Sequence, residues 1–221
     1  MKKIVSTGFI ILILYFNCFP QIFDDFADGE YTNNPVKWED PAGSYVASDG
    51  MLSLSAATGT EKAYIRTKSN YSKEAGWEFR IKLDFNPSAY NYAEIYLTAD
   101  GPDLDGHVNG HFVRIGGARD EISLFRRDGF PDQVIKLIDG PDGMTDLDLV
   151  NLRIRATVAI DGIWQLSVSD ASDNHYIPIG SGVDPDIPSC NYFGILCFFT
   201  PSRNDKFHFD DIRITGMEIA D

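Results

Sequence analysis

"WEFRIKLDF", residues 77–85, decides the fold class. Trp77, Phe79, Ile81, Leu83 and Phe85 alternate without a break with Glu78, Arg80, Lys82 and Asp84. A period of two over nine residues separates the side chains onto the two faces of an extended strand, one apolar and one fully charged. "VNLRIRATVAI", residues 150–160, repeats the pattern, with Val150, Leu152, Ile154, Ala156, Val158 and Ile160 on one face. Asp161-Gly162 follows, and "WQLSV" returns with Trp164, Leu166 and Val168 inward. Asp-Gly between two alternating runs predicts a hairpin.

Working outward, further strands are expected at "MLSLSA" (51–56), "KAYIRTK" (62–68), "AEIYLTA" (93–99), "HFVRIG" (111–116), "EISLFRRD" (121–128), "QVIKLID" (133–139), "NYFGILCFFT" (191–200) and "KFHFDDIRIT" (206–215). No run of helical period and useful length stands between them, and the connections are rich in Gly, Pro, Asn and Asp. About a dozen short strands in a domain-sized chain predict an all-β fold, a two-sheet antiparallel β-sandwich of jelly-roll type. No internal repeat or linker divides it, so residues 22–221 are read as a single domain.

The first 21 residues, "MKKIVSTGFIILILYFNCFPQ", have a basic start at Lys2 and Lys3 and an apolar run from Gly8 to Phe16. That run is short for a bilayer span, so residues 1–21 are read as a cleaved signal peptide that leaves no transmembrane anchor. The expected location is secreted or cell surface. Cys18 raises lipid attachment, which Phe16 and Asn17 before it fit poorly. The net charge of −14 becomes −16 without Lys2 and Lys3. That argues against nucleic acid as partner, whose phosphates need a basic patch. Cys190 and Cys197 lie in one extended run, where seven residues span about 23 Å against the ~7 Å a disulfide allows. They are expected to be buried free thiols unless the chain turns at Gly194.

"NYAEIYLTAD", "NGHFVRIGG", "DEISLFRRDG" and "YFGILCFFTPSRNDKFHFDDI", in that order, resemble the concanavalin A-like (laminin G-like) jelly rolls of secreted bacterial surface proteins. The hairpin "LRIRATVAIDGIWQLSVSD" resembles the strand–turn–strand of laminin G-like domains. The resemblance spans residues 22–216. It implies two curved sheets, with sugar or protein ligands on the concave sheet or rim loops, and frequently a calcium ion. Lectins, hydrolases and structural modules share the fold, so fold alone leaves the function open.

The resemblance also implies that the first and last strands pair antiparallel. That would bring "IFDDF" (22–26) near "FDDI" (209–212). Phe207 and Phe209 are out of phase with Ile212 and Ile214, which a β-bulge at Asp210-Asp211 would repair. Asp24, Asp25, Asp210 and Asp211 are therefore the candidate calcium ligands; the alternative is solvent-facing acids or acids bonded to loop amides. A second acidic loop carries Asp100, Asp103, Asp105 and Asn109. Its Asp-Leu-Asp-Gly core resembles half of a calcium loop without the closing Glu, and a polar rim loop is the other reading. His107 and His111 have no third ligand near them in sequence, which discounts zinc.

For a sugar, exposed aromatics and planar polar groups are needed. Tyr90, Tyr92 and Tyr96 are the aromatic candidates, and Glu94, Arg114, Glu121 and Arg126 come from consecutive expected strands that share a sheet face. Ordinary cross-strand packing and pairing is the alternative. Trp77 and Trp164 are in phase with core residues, whereas Trp38, in the irregular "NNPVKWEDPAG", is free to face a ligand or a loop. No Glu-x-Asp-x-x-Glu run of the family-16 glucanase type exists, and no Gly-x-Ser-x-Gly. The expectation is a non-catalytic binding or surface-interaction module for a polysaccharide or cell-surface glycan, with calcium as candidate cofactor. The alternatives are an unrecognised glycoside hydrolase on the same fold, or an adhesin module binding a protein of a surface assembly.

Overall fold

A computed structural model describes residues 22–186 and 189–216; the expected signal peptide lies outside them. The strands, in chain order, are β1 (Ile22–Asp24), β2 (Trp38–Glu39), β3 (Tyr45–Ser48), β4 (Met51–Leu54), β5 (Lys62–Lys68), β6 (Ala75–Leu83), β7 (Tyr92–Ala99) and β8 (Val108–Gly116). They continue with β9 (Glu121–Gly129), β10 (Val134–Ile138), β11 (Val150–Val158), β12 (Ile163–Asp170), β13 (Ile177–Val183), β14 (Tyr192–Phe198) and β15 (Phe207–Gly216). They form two antiparallel sheets. One has eight strands in the order β13-β12-β11-β6-β15-β4-β3, with β1 also on β15; the other has seven, β10-β9-β8-β7-β14-β5-β2. The result is the expected antiparallel sandwich.

β6 is the central strand the opening nonapeptide predicts. Trp77, Phe79, Ile81 and Leu83 are all buried, and Glu78, Arg80 and Lys82 stand on the outer face. β11 and β12 form the Asp161-Gly162 hairpin, and Trp164 stacks on Trp77 with centroids 5.6 Å apart. Gly162 has φ +80°, and a Cβ there would meet the Asp184 carbonyl oxygen at 2.4 Å, so the turn requires glycine. Ile160, expected inward, lies in the turn and is 65% exposed, because the strand ends at Val158. Cys190 and Cys197 are buried free thiols, as expected, on either side of a Gly194 that stays within β14.

The chain ends pair as expected. β1 runs antiparallel to β15, with Ile22 opposite Ile214 and Asp24 opposite Ile212. β15 has β6 on one side throughout; on the other it pairs first with β4 and then with β1. The register against β6 shifts between Asp210 and Arg213, and Asp211 has φ +49°. This bulge returns Ile212 and Ile214 to the core face beneath Phe207 and Phe209. The double aspartate therefore marks the point where the edge partner changes.

The buried apolar residues fall into two clusters. The larger fills the space between the sheets. The smaller lies on the outer face of the seven-stranded sheet and comprises Tyr96, Ala99, Leu104, Val108, Phe112, Phe125 and Leu196. Leu104 belongs to the β7–β8 connection, which folds back over that face. Gly194 admits it, since a Cβ there would lie 2.6 Å from Leu104 Cδ1.

Candidate functional site

Strand parity sets what this covered face displays. Ala93, Ile95 and Leu97 of β7 point into the main core, so Tyr92, Glu94 and Tyr96 point out. In register beside them stand Arg114 and Phe112 on β8, Ser123 and Phe125 on β9, and Leu196 and Phe198 on β14. Glu94 lies opposite Arg114 and is 5% exposed. The Arg114 guanidinium donates to Glu94 Oε1 at 2.6 Å and 3.1 Å, and the Tyr96 hydroxyl donates to Oε2 at 3.4 Å. Burial raises the Glu94 carboxyl above the usual range, against the pull of Arg114. The same guanidinium lies over the rings of Phe125 at 4.8 Å and Tyr92 at 5.1 Å.

Arg127 fastens the covering loop. Its side chain is 2% exposed and donates to the Tyr96 hydroxyl at 2.6 Å, to the Leu104 carbonyl at 2.8 Å, and to the Gly106 carbonyl. Asp105 pairs with Lys62 at 2.8 Å, and Arg66 donates to the Pro102 carbonyl. At the base of the loop Asn109 donates its backbone and side-chain N–H to Asp100 at 2.8 and 2.6 Å. Asp103 accepts the Gly106 N–H at 3.1 Å. The loop expected at the rim is thus a cover, with its acids bonded to cations and loop amides.

Between loop and sheet lies a hollow of about 90 Å³ walled by Tyr92, Glu94, Tyr96, Asp105, Arg114 and Phe198 among others. Tyr92 and Phe198, stacked at 4.4 Å and 17°, also wall a wider hollow of about 420 Å³. Tyr90 lines that second space and is 76% exposed. The Tyr92 ring is taken up by Phe198 and Arg114, and Phe198 by Tyr92 and Lys62, so the exposed Tyr90 ring is the face offered beside a fixed acceptor–donor pair. Glu94 and Asp105 are each paired with a cation, Arg114 and Lys62.

The structure thus brings together Glu94, Tyr96, Arg114 and Asp105 from the expected site. Glu121 shares the sheet face but lies one side-chain step beyond Ser123, paired to Lys136 at 2.7 Å. Trp38 is not free to meet a ligand. It is 3% exposed, packs on Phe26 and Phe193, and its indole N–H donates to Asp24 at 2.9 Å. Arg126 lies on the opposite side of β9 from Glu121, and it is Arg127 that shares the face. Arg126 instead joins a buried group at the sandwich end. Thr98 Oγ1 lies 3.2 Å from His111 Nδ1, His111 Nε2 lies 2.8 Å from Asp184, and Arg126 donates to Asp184 at 2.9 Å. This resembles a nucleophile–base–acid line, but Thr98, His111 and Asp184 are all buried and Trp164 packs on the imidazole at 4.6 Å, so no substrate reaches them.

The four terminal aspartates do not converge on one ion. Asp24 points inward, where it accepts from Trp38 and from the Phe26 N–H at 3.0 Å and so ties β1 to β2 of the other sheet. Asp25 caps the Ala27 N–H at 3.1 Å. Asp210 and Asp211 point outward, to Arg80 at 3.3 Å and to Arg153. Pleat and bulge send Asp24 to the opposite side of the sheet from Asp210 and Asp211. Among the described residues no group of three or more His, Cys, Asp or Glu side chains is placed to hold a metal ion, so these carboxylates do not fit calcium.

The chain matches no family model. No curated protein sequence matches it. Solved structures do. It is similar to the Ca²⁺-bound exoplasmic/lumenal domain of VIP36, at 12% identity and TM-score 0.63 over 90% of each chain. The Ca²⁺/Man2-bound form of that domain matches with TM-score 0.61 over 83% of this chain and 82% of the other, also at 12% identity. A carbohydrate-binding module, CBM66 from Bacillus subtilis, matches at 11% identity and TM-score 0.60, over 85% of this chain and all of that one. At such identities the likeness establishes the fold, a concanavalin A-like jelly roll.

Proposed function

We propose that this chain is a secreted, non-catalytic glycan-binding module, and that the sugar lies on the outer face of the seven-stranded sheet. The observation that carries the reading is the aromatic wall of Tyr90, Tyr92 and Phe198 running into the desolvated Glu94–Arg114 pair. The exposed Tyr90 ring face matches the C–H face of a pyranose or furanose, the stacked Tyr92 and Phe198 wall the space beside it, and a carboxylate locked to a guanidinium presents fixed hydrogen-bonding groups to hydroxyls. VIP36 bound to mannose and a carbohydrate-binding module on the same fold support the ligand class. The apolar N-terminal run supports export.

The test is a screen of plant, algal and microbial glycans with the mature chain, with and without calcium, followed by calorimetry on the hits. Binding is expected without calcium, and Tyr92→Ala is expected to weaken it at least tenfold. Reducing sugar released by the wild type and lost in Glu94→Gln would replace this reading with a hydrolase. No binding to any glycan class would overturn it in favour of a protein-binding module.

A further inference from the structure

The outer face of the eight-stranded sheet carries a feature that a glycan site on the other sheet does not use. Four arginines project from three neighbouring strands: Arg80 on β6, Arg153 and Arg155 on β11, and Arg213 on β15. Three carboxylates answer them, each taking one guanidinium. Asp210 takes Arg80, Asp211 takes Arg153, and Glu78 takes Arg155 at 2.8 Å. Arg213 has no ion pair among the described residues; its guanidinium lies over the Phe23 ring at 5.1 Å. In a chain of net charge −14 this face holds one positive charge in excess.

Register concentrates that excess. Arg213, Glu78 and Arg155 occupy a single rung across β15, β6 and β11. Adjacent strands lie about 4.8 Å apart, so the two arginines flank one carboxylate at about 10 Å from each other. Above the rung is an open, strongly polar hollow of about 420 Å³, whose wall also holds the Arg153–Asp211 pair. Asn174 and Tyr176, from the β12–β13 connection, close its side, and the Tyr176 ring holds the Arg155 guanidinium at 3.8 Å. A planar guanidinium fixed by an aromatic ring is preorganised for two-point contact with an oxyanion. Distant acids of the chain oppose an incoming anion little, since salt screens charges beyond about 8 Å under physiological conditions.

We infer that this hollow is an oxyanion-binding site, in which Arg213 and Arg155 receive a carboxylate or sulfate group and Asn174 donates to it. The group can arrive as a free ion or on an acidic saccharide, and the test separates the two. The mature chain is titrated at constant ionic strength with inorganic sulfate, an oligogalacturonate, a sulfated oligosaccharide and a neutral dextran. At least one oxyanion probe is expected to bind. Binding should fall tenfold or more in Arg213→Ala, stay unchanged in Tyr92→Ala, and strengthen several-fold in Glu78→Gln, which removes the competing carboxylate. Inorganic sulfate binding as well as the oligosaccharides would identify a small-anion site; saccharides alone would identify an acidic-glycan site. Either supports the assignment. No binding by any oxyanion probe, binding that survives Arg213→Ala, or weaker binding in Glu78→Gln would overturn it. Arg213 makes no ion pair among the described residues, so its loss is expected to leave the fold intact, and failure here leaves the Tyr92 site untouched.

Discussion

The outer faces of the two sheets solve the same problem in opposite ways. Both carry charged side chains on alternate positions of central strands. On the eight-stranded sheet the cross-strand pair of Arg155 and Glu78 stays open to water. On the seven-stranded sheet the β7–β8 loop covers such side chains, so that Glu94 and Arg114 sit among Tyr92, Tyr96, Phe112 and Phe125 with little solvent. An exposed pair gains little net energy, whereas a desolvated pair becomes costly to break because the surviving charge has no water to fall back on. Burial, more than the presence of charge, distinguishes the face we assign to sugar binding.

The largest expected effect sharpens this contrast. Arg114→Ala strands the Glu94 carboxylate and should cost about 3 kcal/mol in urea unfolding. Glu94→Gln in the same background should recover most of it. Arg155→Ala, in the open pair, should cost about 1 kcal/mol or less. Equal losses at the two sites would remove the distinction between the faces.

A smaller effect lies in the pH dependence. Burial, and then the neighbouring Asp211 charge, push the Asp210 carboxyl up to about 6, with Arg80 pulling the other way. A folded pKa above the unfolded value means the folded state prefers the proton. The stability this contributes is full below about pH 4 and is lost as pH rises through about 6. Asp210→Asn should therefore be more stable than the wild type at pH 7.5, by roughly 1 kcal/mol since each unit is worth about 1.4 and Arg80 loses its partner. The gap should close by pH 5. A gap that widens on acidification would show the Arg80 pairing to dominate. His111 works in the opposite direction. Burial lowers its pKa, so its contribution is full above the ordinary imidazole value and is lost as pH falls below it through the lowered one, and the comparison must use the difference between variant and wild type.

How far the sequence could be read follows from what sets each feature. The period-two pattern of residues 77–85 transmits directly to β6 because nothing but burial acts on it. The bulge at Asp210-Asp211 was legible because a phase break in an apolar run has few physical repairs, whereas the terminal pairing came from the resemblance to jelly rolls. Parity also held the signal that was missed. Glu121 is odd-numbered, so in an unbroken strand its face-mates are Ser123, Phe125 and Arg127, and Arg126 belongs to the other side. Trp38 was opaque for a different reason: its two-residue strand is held by Thr67 and by Asp24, neither of which is near it in sequence. The folding of residues 100–109 over the sheet depends on Arg127, Arg66 and Gly194, contacts made at distances of some 20 to 90 residues along the chain. The four terminal aspartates do not meet because alternation and bulge, taken together, send Asp24 inward and Asp210 and Asp211 outward.

The most direct test of the central claim is calorimetric titration of a glycan hit into the wild type and into Tyr92→Ala, with Arg213→Ala as the opposite-face control. The account predicts at least a tenfold loss of affinity in Tyr92→Ala and none in Arg213→Ala for a neutral glycan. Unchanged affinity in Tyr92→Ala would place the sugar elsewhere and contradict it.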